Sequence, residues 1–313
     1  ATTHDFKLLV IIAFFGTINP AVGNASIFIP MEHAILTRLS VPRERTRSFA
    51  HYSFYGAMAA AIGALAISGS DVFMKIGLSQ VAAAELLFIV YGLLGALVGF
   101  LYYLISVEEN QCTPQNLVGL GPSRSIVHRL AFLFSIDALA GGLAVQSLLF
   151  LWLYQRFGLS LQTAGWFFFF AGVLSAFSFP VATWLSARVG LVRTMVYTHV
   201  PSSIFLIGAA FSPNLELALF FLLLRSALSQ MDVPARASYV MAIVSPPERA
   251  AAASLTSVPR SLAAAIGPAI SGLLIATDHL IWPLLLCGAL KISYDFGLLY
   301  MFRNVRPPEE IKY

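Results

Sequence analysis

Charged side chains are scarce in this sequence, and cysteines are scarcer still. Charged residues make up 11% of the 313 positions, whereas an ordinary soluble domain has about 25%. That shortage excludes a soluble enzyme, a disordered chain and a nucleic-acid-binding module as the class of protein. The two cysteines, Cys112 and Cys287, lie far apart and indicate neither a disulfide framework nor a metal site.

Motifs for bound phosphates and metals are also missing. The sequence has no Walker-type phosphate loop and no paired metal ligands, which argues against an ATP-driven pump. It has only six histidines and no nucleophile signature, which argues against a membrane-embedded enzyme. We therefore expect a protein that is not an enzyme and that binds no cofactor, no metal ion and no nucleic acid.

Apolar residues, in contrast, are abundant. They make up 58% of the sequence, and the mean hydropathy is +0.80. They come in long blocks rather than in alternation, which excludes a membrane β-barrel and leaves a bundle of transmembrane helices. A helix needs about 20 apolar residues to span a bilayer. We predict an all-α, polytopic membrane protein with nine spans, at about 6–36, 47–70, 82–107, 127–155, 161–186, 190–211, 214–243, 250–276 and 280–302.

Lysines and arginines are distributed unevenly between the two sides of the predicted bundle. With spans that alternate in direction, 12 lie on one side, 3 on the other and 4 inside spans. Cytoplasmic loops are enriched in these residues, so the side with 12 is predicted to be cytoplasmic. This assignment places the C-terminus in the cytoplasm of a multi-pass protein in the cell membrane (inner or plasma membrane).

A polar stretch between the third and fourth predicted spans divides the chain. It contains Glu108, Glu109, Pro114 and Pro122, which are typical of a loop. We predict a partial N-terminal half with three helices at 1–107, a cytoplasmic linker at 108–124 and a C-terminal six-helix half at 125–313.

Two regions of the sequence match each other without a gap at a constant offset of 204 residues. The matched positions are Pro30 with Pro234, Glu44 and Arg45 with Glu248 and Arg249, and Ala59–Gly63 with Ala263–Gly267. Prolines, a Glu-Arg loop and a glycine in one register argue against a chance match between Ala-rich helices. The repeat indicates two similar halves, as in duplicated transporters. It also predicts three further spans before residue 1, for twelve in total.

The loop between the fifth and sixth predicted spans carries a motif. The stretch Leu185–Arg193, LSARVGLVR, is similar to the signature Gly-x-Leu-Ala-Asp-Arg-x-Gly-Arg-Arg/Lys, which Leu185, Arg188 and Gly190 match. The signature's Gly, its Asp and its first Arg are replaced here, by Thr183, Ala187 and Leu191. Because this sequence lacks the Asp of the signature, we do not expect the salt bridge that its carboxylate would form.

Two further features complete a family resemblance. The stretch Ala263–Gly272, AAAIGPAISG, resembles the Gly-Pro-x-x-Gly element that drug antiporters carry in their fifth helix, although Ala64 replaces the proline in the N-terminal copy. Arg225 lies where the fourth-helix arginine would repeat in the tenth helix. Over its whole length the chain resembles the major facilitator superfamily of secondary transporters, as an N-terminally truncated protein with the last nine of twelve helices.

The resemblance implies a function. We expect a monomer in a lipid bilayer that moves a small organic solute by alternating access, coupled to H+, with efflux favoured over uptake. Two alternatives stay open. One is an uptake carrier for an anionic metabolite, which the excess of arginine inside the spans favours. The other is a non-transporting membrane protein or an inactive fragment.

Charged side chains inside predicted spans mark the candidate solute pathway, because they are costly in lipid and face a cavity or a partner. Asp137 is the only carboxylate of the fourth span. It is a candidate for reversible protonation, or it neutralises Arg225 or Arg260. Gln146 lies nine residues on, in the same predicted span. It is interpreted as a donor to the solute or to a neighbouring helix.

The seventh predicted span carries three charged residues at spacings of seven and four, Arg225, Asp232 and Arg236, which places them on one helix face. Arg225, near mid-span, is a candidate cavity residue that meets a solute anion or a carboxylate. Asp232 and Arg236 are candidates for a cytoplasmic gate or for a structural ion pair.

Residues in other spans add to the candidate solute pathway and to the candidate cytoplasmic gate. Arg260 follows a proline that bends the eighth span, and it is predicted to meet an anionic solute, Asp137 or Asp232. Glu32 occupies the repeat position that matches Arg236, which predicts an ion pair between the halves that closes the cytoplasmic side.

Three residues complete the predicted site. Asn24 is a candidate for the solute pathway, while Arg188 and Arg193 of the motif loop are assigned to the cytoplasmic gate. Lys291 and Asp295 lie one turn apart in the ninth span. We interpret them as a neutralising pair within a peripheral helix, outside the site.

Overall fold

The computed structural model describes residues 44–68, 79–104 and 119–305, together with positions 5, 8, 32, 35–37, 40, 41, 77 and 307. The long elements of these residues are α-helices, as predicted for an all-α membrane bundle. They are α1 (Arg45–Ser68), α2 (Gln80–Leu104), α3 (Arg124–Leu143), α4 (Gln146–Phe157), α5 (Leu161–Val189), α6 (Leu191–Ala210), α7 (Leu215–Leu228), α8 (Asp232–Ile243), α9 (Arg249–Ala276) and α10 (Trp282–Phe302). A 3₁₀ turn at Pro246–Glu248 precedes α9.

Six segments of the described chain are long and apolar enough to cross a membrane. They are Val81–Leu101, Arg124–Phe157, Leu161–Val189, Leu215–Ile243, Pro246–Ala276 and Trp282–Phe302. They correspond to six of the nine predicted spans. Two more predicted spans are the helices α1 and α6, of 24 and 20 residues. The first predicted span, 6–36, lies mostly outside the described residues.

The span predicted at 127–155 is not one continuous helix. It consists of α3 and α4, separated by Ala144 and by Val145, whose backbone is extended (φ −62°, ψ 153°). Gly141 and Gly142 come just before the interruption, and each glycine weakens a helix by about 1 kcal/mol relative to alanine. The length of the apolar block predicts the span correctly but does not reveal this interruption.

The span predicted at 214–243 is likewise interrupted, between α7 and α8, at Ser229–Met231. Pro234 explains the position of the break. In a continuous helix its missing N–H would leave the carbonyl of Gln230 without a helical partner, whereas in the first turn of α8 that N–H is not needed. Asp232 begins α8, where the helix dipole favours a negative charge.

Two helix crossings bring backbones very close together. Where α1 crosses α5, a Cβ atom added to Gly172 would lie 2.8 Å from the Cβ of Ala61. Where α3 crosses α9, a Cβ atom on Gly267 would lie 2.5 Å from the backbone carbonyl carbon of Gly142. Small residues permit such approach between membrane helices. The two crossings join α1, α3, α5 and α9 around a common interior.

A buried carboxylate fastens the turn before α9 to the start of α3. Glu248 is 3% exposed. Its Oε1 accepts a hydrogen bond from the N–H of Gly121 (2.6 Å), and its Oε2 accepts from the hydroxyls of Ser123 (2.7 Å) and Ser245 (2.6 Å). Glu44, the matching residue of the sequence repeat, is exposed. Glu248 therefore holds two distant chain segments together.

Replacing Glu248 with glutamine is expected to loosen this joint and to lower the free energy of unfolding by about 1–3 kcal/mol. A glutamine side chain has only one acceptor oxygen, so at least one of the three donors loses its partner. Thermal unfolding in detergent and the rate of proteolytic cleavage around residues 119–123 measure the effect. Glu44→Gln is the matched control and should change neither. Equal cleavage rates in the two variants would contradict the structural role of Glu248.

Candidate functional site

A cavity of about 670 Å³ lies between α1 and the helices from α3 to α10. That volume suits a small organic molecule, since ligand pockets measure about 300–1,000 Å³. Both helix interruptions face it. Its charged and amide side chains and its histidine are Asp137, Gln146, His199, Arg225, Gln230, Asp232, Arg236, Arg260 and Lys291. Four residues predicted for the solute pathway and two predicted for the gate thus line one space.

Asp137 is the centre of a buried group of ion pairs. It is 5% exposed. Its Oδ2 accepts a hydrogen bond from Nη1 of Arg236 (2.9 Å), and its Oδ1 accepts one from Nζ of Lys291 (2.7 Å). The same Nη1 of Arg236 lies 3.0 Å from Oδ2 of Asp232, one turn earlier in α8. The partners of Asp137 are therefore Arg236 and Lys291, not the expected Arg225 or Arg260.

His199 of α6 joins this group to Asp295. The side chains of His199 and Asp295 are 2% and 0% exposed. Nδ1 of His199 lies 3.0 Å from both carboxylate oxygens of Asp295, and its Nε2 lies 3.1 Å from Nζ of Lys291. Because an ammonium group can only donate, Nε2 accepts from Lys291, and Nδ1–H donates to Asp295. The contacts select one tautomer of the neutral imidazole.

The interpretation of Lys291 and Asp295 as a pair within one helix is wrong. Lys291 donates to Asp137 and His199, and Asp295 accepts from His199. One turn apart along α10, the two side chains both contact His199 of α6, and Lys291 also binds Asp137 of α3. Lys291 lines the cavity and so belongs to the site.

Arg225 and Arg260 line the same cavity without a carboxylate partner among the described residues. The Nε of Arg260 is buried and has no acceptor in this part of the chain. The cavity thus contains two guanidinium groups that no described side chain neutralises. Gln146 lies at the first position of α4, where the helix interruption turns it toward this space.

The predicted ion pair between Glu32 and Arg236 is not formed in the described structure. Arg236 pairs with Asp137 and Asp232 instead, while Glu32 accepts a hydrogen bond from the hydroxyl of Tyr52. Asn24 lies outside the described residues.

Arg188 and Arg193 lie on either side of the turn between α5 and α6, and both are exposed. The guanidinium carbon of Arg188 lies 3.9 Å from the ring centroid of Trp184. Gly190, between the two arginines, has φ +91°, a conformation that favours glycine and accounts for its place in the motif. Neither arginine lines the cavity, and their role in a gate stays a prediction.

His199 is a site residue that was not predicted from the sequence. The available signal was a titratable side chain in the middle of an apolar span, the same signal that identified Asp137. Metal binding finds no support in the described chain, since no group of three or more His, Cys, Asp or Glu side chains is placed to hold an ion.

Known proteins share this architecture. A family model described as Major Facilitator Superfamily matches residues 3–223 and again 130–312. The uncharacterized membrane protein YJR124C of Saccharomyces cerevisiae is 23% identical over 340 residues, covering 97% of this chain and 76% of that protein. The multidrug export protein EmrB of Escherichia coli is 26% identical over 125 residues, covering 40% of this chain and 24% of EmrB.

A solved structure has the same fold. The crystal structure of the human organic anion transporter MFSD10 (TETRAN) matches with a TM-score of 0.63 and 18% sequence identity, covering 86% of this chain and 67% of that chain. At this level of identity the likeness shows a common helical arrangement.

Proposed function

Because the chain belongs to the Major Facilitator Superfamily, we propose that it is a secondary active transporter that moves a small organic anion by alternating access. The observation that carries the proposal is the pair Arg225 and Arg260. Both line the cavity, and no described carboxylate neutralises either of them.

The charge balance of the cavity favours an anion as the solute. A cation within a membrane bundle is stable when it meets water or an opposite charge. Both cavity carboxylates, Asp137 and Asp232, are already engaged by other cations. An anionic solute supplies the missing negative charge for Arg225 and Arg260, whereas a cationic solute meets repulsion. The human protein with a similar structure is an organic anion transporter, which supports the same class of solute.

The start of α4 adds to this preference. The first N–H groups of a helix have no partner within it, and the helix dipole makes that end positive. Discontinuous helices of transporters present such ends to the anionic groups of their substrates. Because α4 begins at the cavity residue Gln146, its N-terminal end faces the cavity. This end favours binding of an anionic solute, as the two arginines do.

We further propose that H+ is the coupling ion and that it acts on the ion pairs around Asp137. A proton bound by this group weakens the attraction between the carboxylate of Asp137 and its cations. The released cations then attract the solute anion. Proton and anion therefore bind in the same state of the carrier and travel in the same direction.

Export of a drug-like solute in exchange for H+ is a second candidate function. The partial similarity to a multidrug export protein favours it, as does the resemblance of the stretch around Gly267 and Pro268 to the antiporter element. The two functions predict opposite directions of solute movement. An inward proton gradient drives a co-transported anion inward and an exchanged solute outward.

Flux of a permanently charged probe tests the proposal. The chain is reconstituted in liposomes and given radiolabelled naphthalenesulfonate, a sulfonate that stays ionised and does not cross as a neutral acid. We expect an inward proton gradient to drive its accumulation, and no accumulation of a naphthyl trimethylammonium of similar size. Accumulation of the ammonium alone would overturn the choice of an anion, and gradient-driven exit of the probe would favour exchange.

Arg225→Gln and Arg260→Gln are each expected to lower the flux of the sulfonate by about tenfold or more, because each removes a charge-assisted contact to the anion. Stability should not fall, since neither arginine has a described carboxylate partner to lose. The exposed Arg303 provides the matched control, Arg303→Gln, which should leave the flux unchanged. Wild-type flux in both cavity variants would remove the arginines from the solute site.

A further inference from the structure

We propose that His199 takes up the coupling proton, and that its protonation moves Asp137 from Lys291 to His199 and releases Lys291 into the cavity as a third cation for the solute. The inference rests on the proposed transport function and names the residue through which the proton acts.

The hydrogen bonds around His199 leave one nitrogen for the proton. Nδ1–H is committed to the carboxylate of Asp295, at 3.0 Å from both oxygens. Nε2 uses its lone pair to accept from the ammonium of Lys291 at 3.1 Å. A proton can therefore add only at Nε2, where it breaks the bond to Lys291. Asp295 acts as a positioning residue because it holds the imidazole in this tautomer.

Residues of α10 and α3 form the described contacts of His199. From α10 come Asp295, Lys291 and Tyr294, whose ring meets the imidazole edge-on at 5.9 Å between centroids. Asp137 of α3 lies 3.8 Å from Nε2. The other titratable or charged residues on the helices packed against α6 are Cys287 and Tyr300 on α10, Asp232, Arg236 and Tyr239 on α8, Glu216 and Arg225 on α7, and Arg188 at the end of α5.

The formal charges of the ion-paired group leave a place for one further proton. Three carboxylates, those of Asp137, Asp232 and Asp295, meet only two permanent cations, those of Arg236 and Lys291. With a neutral imidazole the group has one negative charge in excess. A proton on His199 balances it without exposing any charge to the apolar surroundings.

The exchange of partners follows from the distances. Once Nε2 carries a proton, it becomes a donor and repels the ammonium of Lys291. Oδ1 of Asp137 lies 3.8 Å from Nε2 and can accept a hydrogen bond from the new N–H. This oxygen, which Lys291 holds at 2.7 Å, then binds the imidazolium instead of the ammonium. Lys291 lines the cavity already, so its ammonium is free to meet the anionic group of the solute there.

The protonation state of His199 can be observed directly. The full chain, labelled with ¹⁵N-histidine, is placed in lipid bilayers, and ¹⁵N spectra are recorded at about pH 8 and about pH 5, the range over which imidazole normally changes charge. The signal missing from His199→Gln identifies the residue. We expect the neutral Nδ1–H tautomer at the higher pH and a doubly protonated ring at the lower pH. A ring that stays neutral throughout, or one protonated at Nε2 alone, would overturn the inference.

Transport measures the consequence. Acidification should raise uptake of naphthalenesulfonate in the wild type by about tenfold, the value of one added charge-assisted contact. His199→Gln should lose this rise, and its thermal unfolding in detergent shows separately that the variant is folded. Lys291→Gln should lose the same rise although His199 still titrates. His279→Gln, at an exposed histidine, is the matched control and should keep the wild-type profile.

The outcomes separate the inference from the function. Sulfonate flux with a wild-type pH profile in His199→Gln overturns the role of His199 and leaves the anion transporter intact. Titration of His199 in the spectra without sulfonate flux at any pH overturns the proposed function, while the proton site stands.

Discussion

Asp137→Ala is expected to abolish accumulation driven by a proton gradient and to lower the free energy of unfolding by about 3–5 kcal/mol. Removing one partner of a buried ion pair costs this much because the other charge stays buried without compensation. Here Lys291 loses its only described carboxylate, whereas Arg236 keeps Asp232 at 3.0 Å. Thermal unfolding in detergent measures the stability, and sulfonate flux measures the coupling.

A double variant separates the two effects. Asp137→Ala combined with Lys291→Ala removes both charges, so most of the lost stability should return while coupling stays absent. The exposed carboxylate Asp278 provides the control. Its φ of +67° suits asparagine, and Asp278→Asn should resemble the wild type in both assays. Coupled transport by Asp137→Ala at the wild-type rate would exclude Asp137 from the mechanism.

Gly267→Ala is expected to lower the free energy of unfolding by about 1–3 kcal/mol or more, the cost of overpacking a close contact, and to reduce transport severely. Its added Cβ would lie 2.5 Å from the backbone of Gly142. Neither backbone can move aside as a side chain can, so α3 and α9 must separate. Gly142→Ala should have the same effect, because its Cβ would meet the carbonyl oxygen of Ala264 at 2.5 Å.

Each of these glycines has a matched control on the same helix. Gly272 of α9 and Gly141 of α3 have nothing within 4 Å of an added Cβ. Alanine at these two positions should be neutral or stabilising by up to about 1 kcal/mol, since alanine is the better helix former. Equal stability of Gly267→Ala and Gly272→Ala would show that the crossing tolerates separation. The readout is again the unfolding midpoint in detergent.

The sequence predicts the helical architecture well because apolar blocks of about 20 residues have one stable structure in lipid. It does not predict the two interruptions. Leu133 and Leu153 are equally apolar on either side of the break at Val145, and a continuous helix satisfies the same composition. The interruption depends on how Gly142 fits against α9, which is a property of the packed bundle.

The functional site, too, can be predicted from the sequence only in part. The cost of a charge in lipid identifies Asp137 and Arg225 as cavity residues from the sequence alone. It does not identify their partners, because Lys291 lies 154 residues from Asp137 in the chain. The spacing of Lys291 and Asp295 predicts a local pair, but their side chains extend to other helices, where His199 and Asp137 offer better partners.

The backbone contact between Gly142 and Gly267 also has a mechanical consequence. Gly142 lies just before the interruption that separates α3 from α4. The contact with Gly267 therefore fixes the end of α3, whereas α4 beyond the interruption can tilt about its first residue. With 12 residues, α4 is about 18 Å long, and a tilt of about 10° at its start displaces its far end by about 3 Å. A change in the tilt of α4 beside Gln146 would therefore displace Phe157, at the opposite end of α4, farther than Gln146 itself.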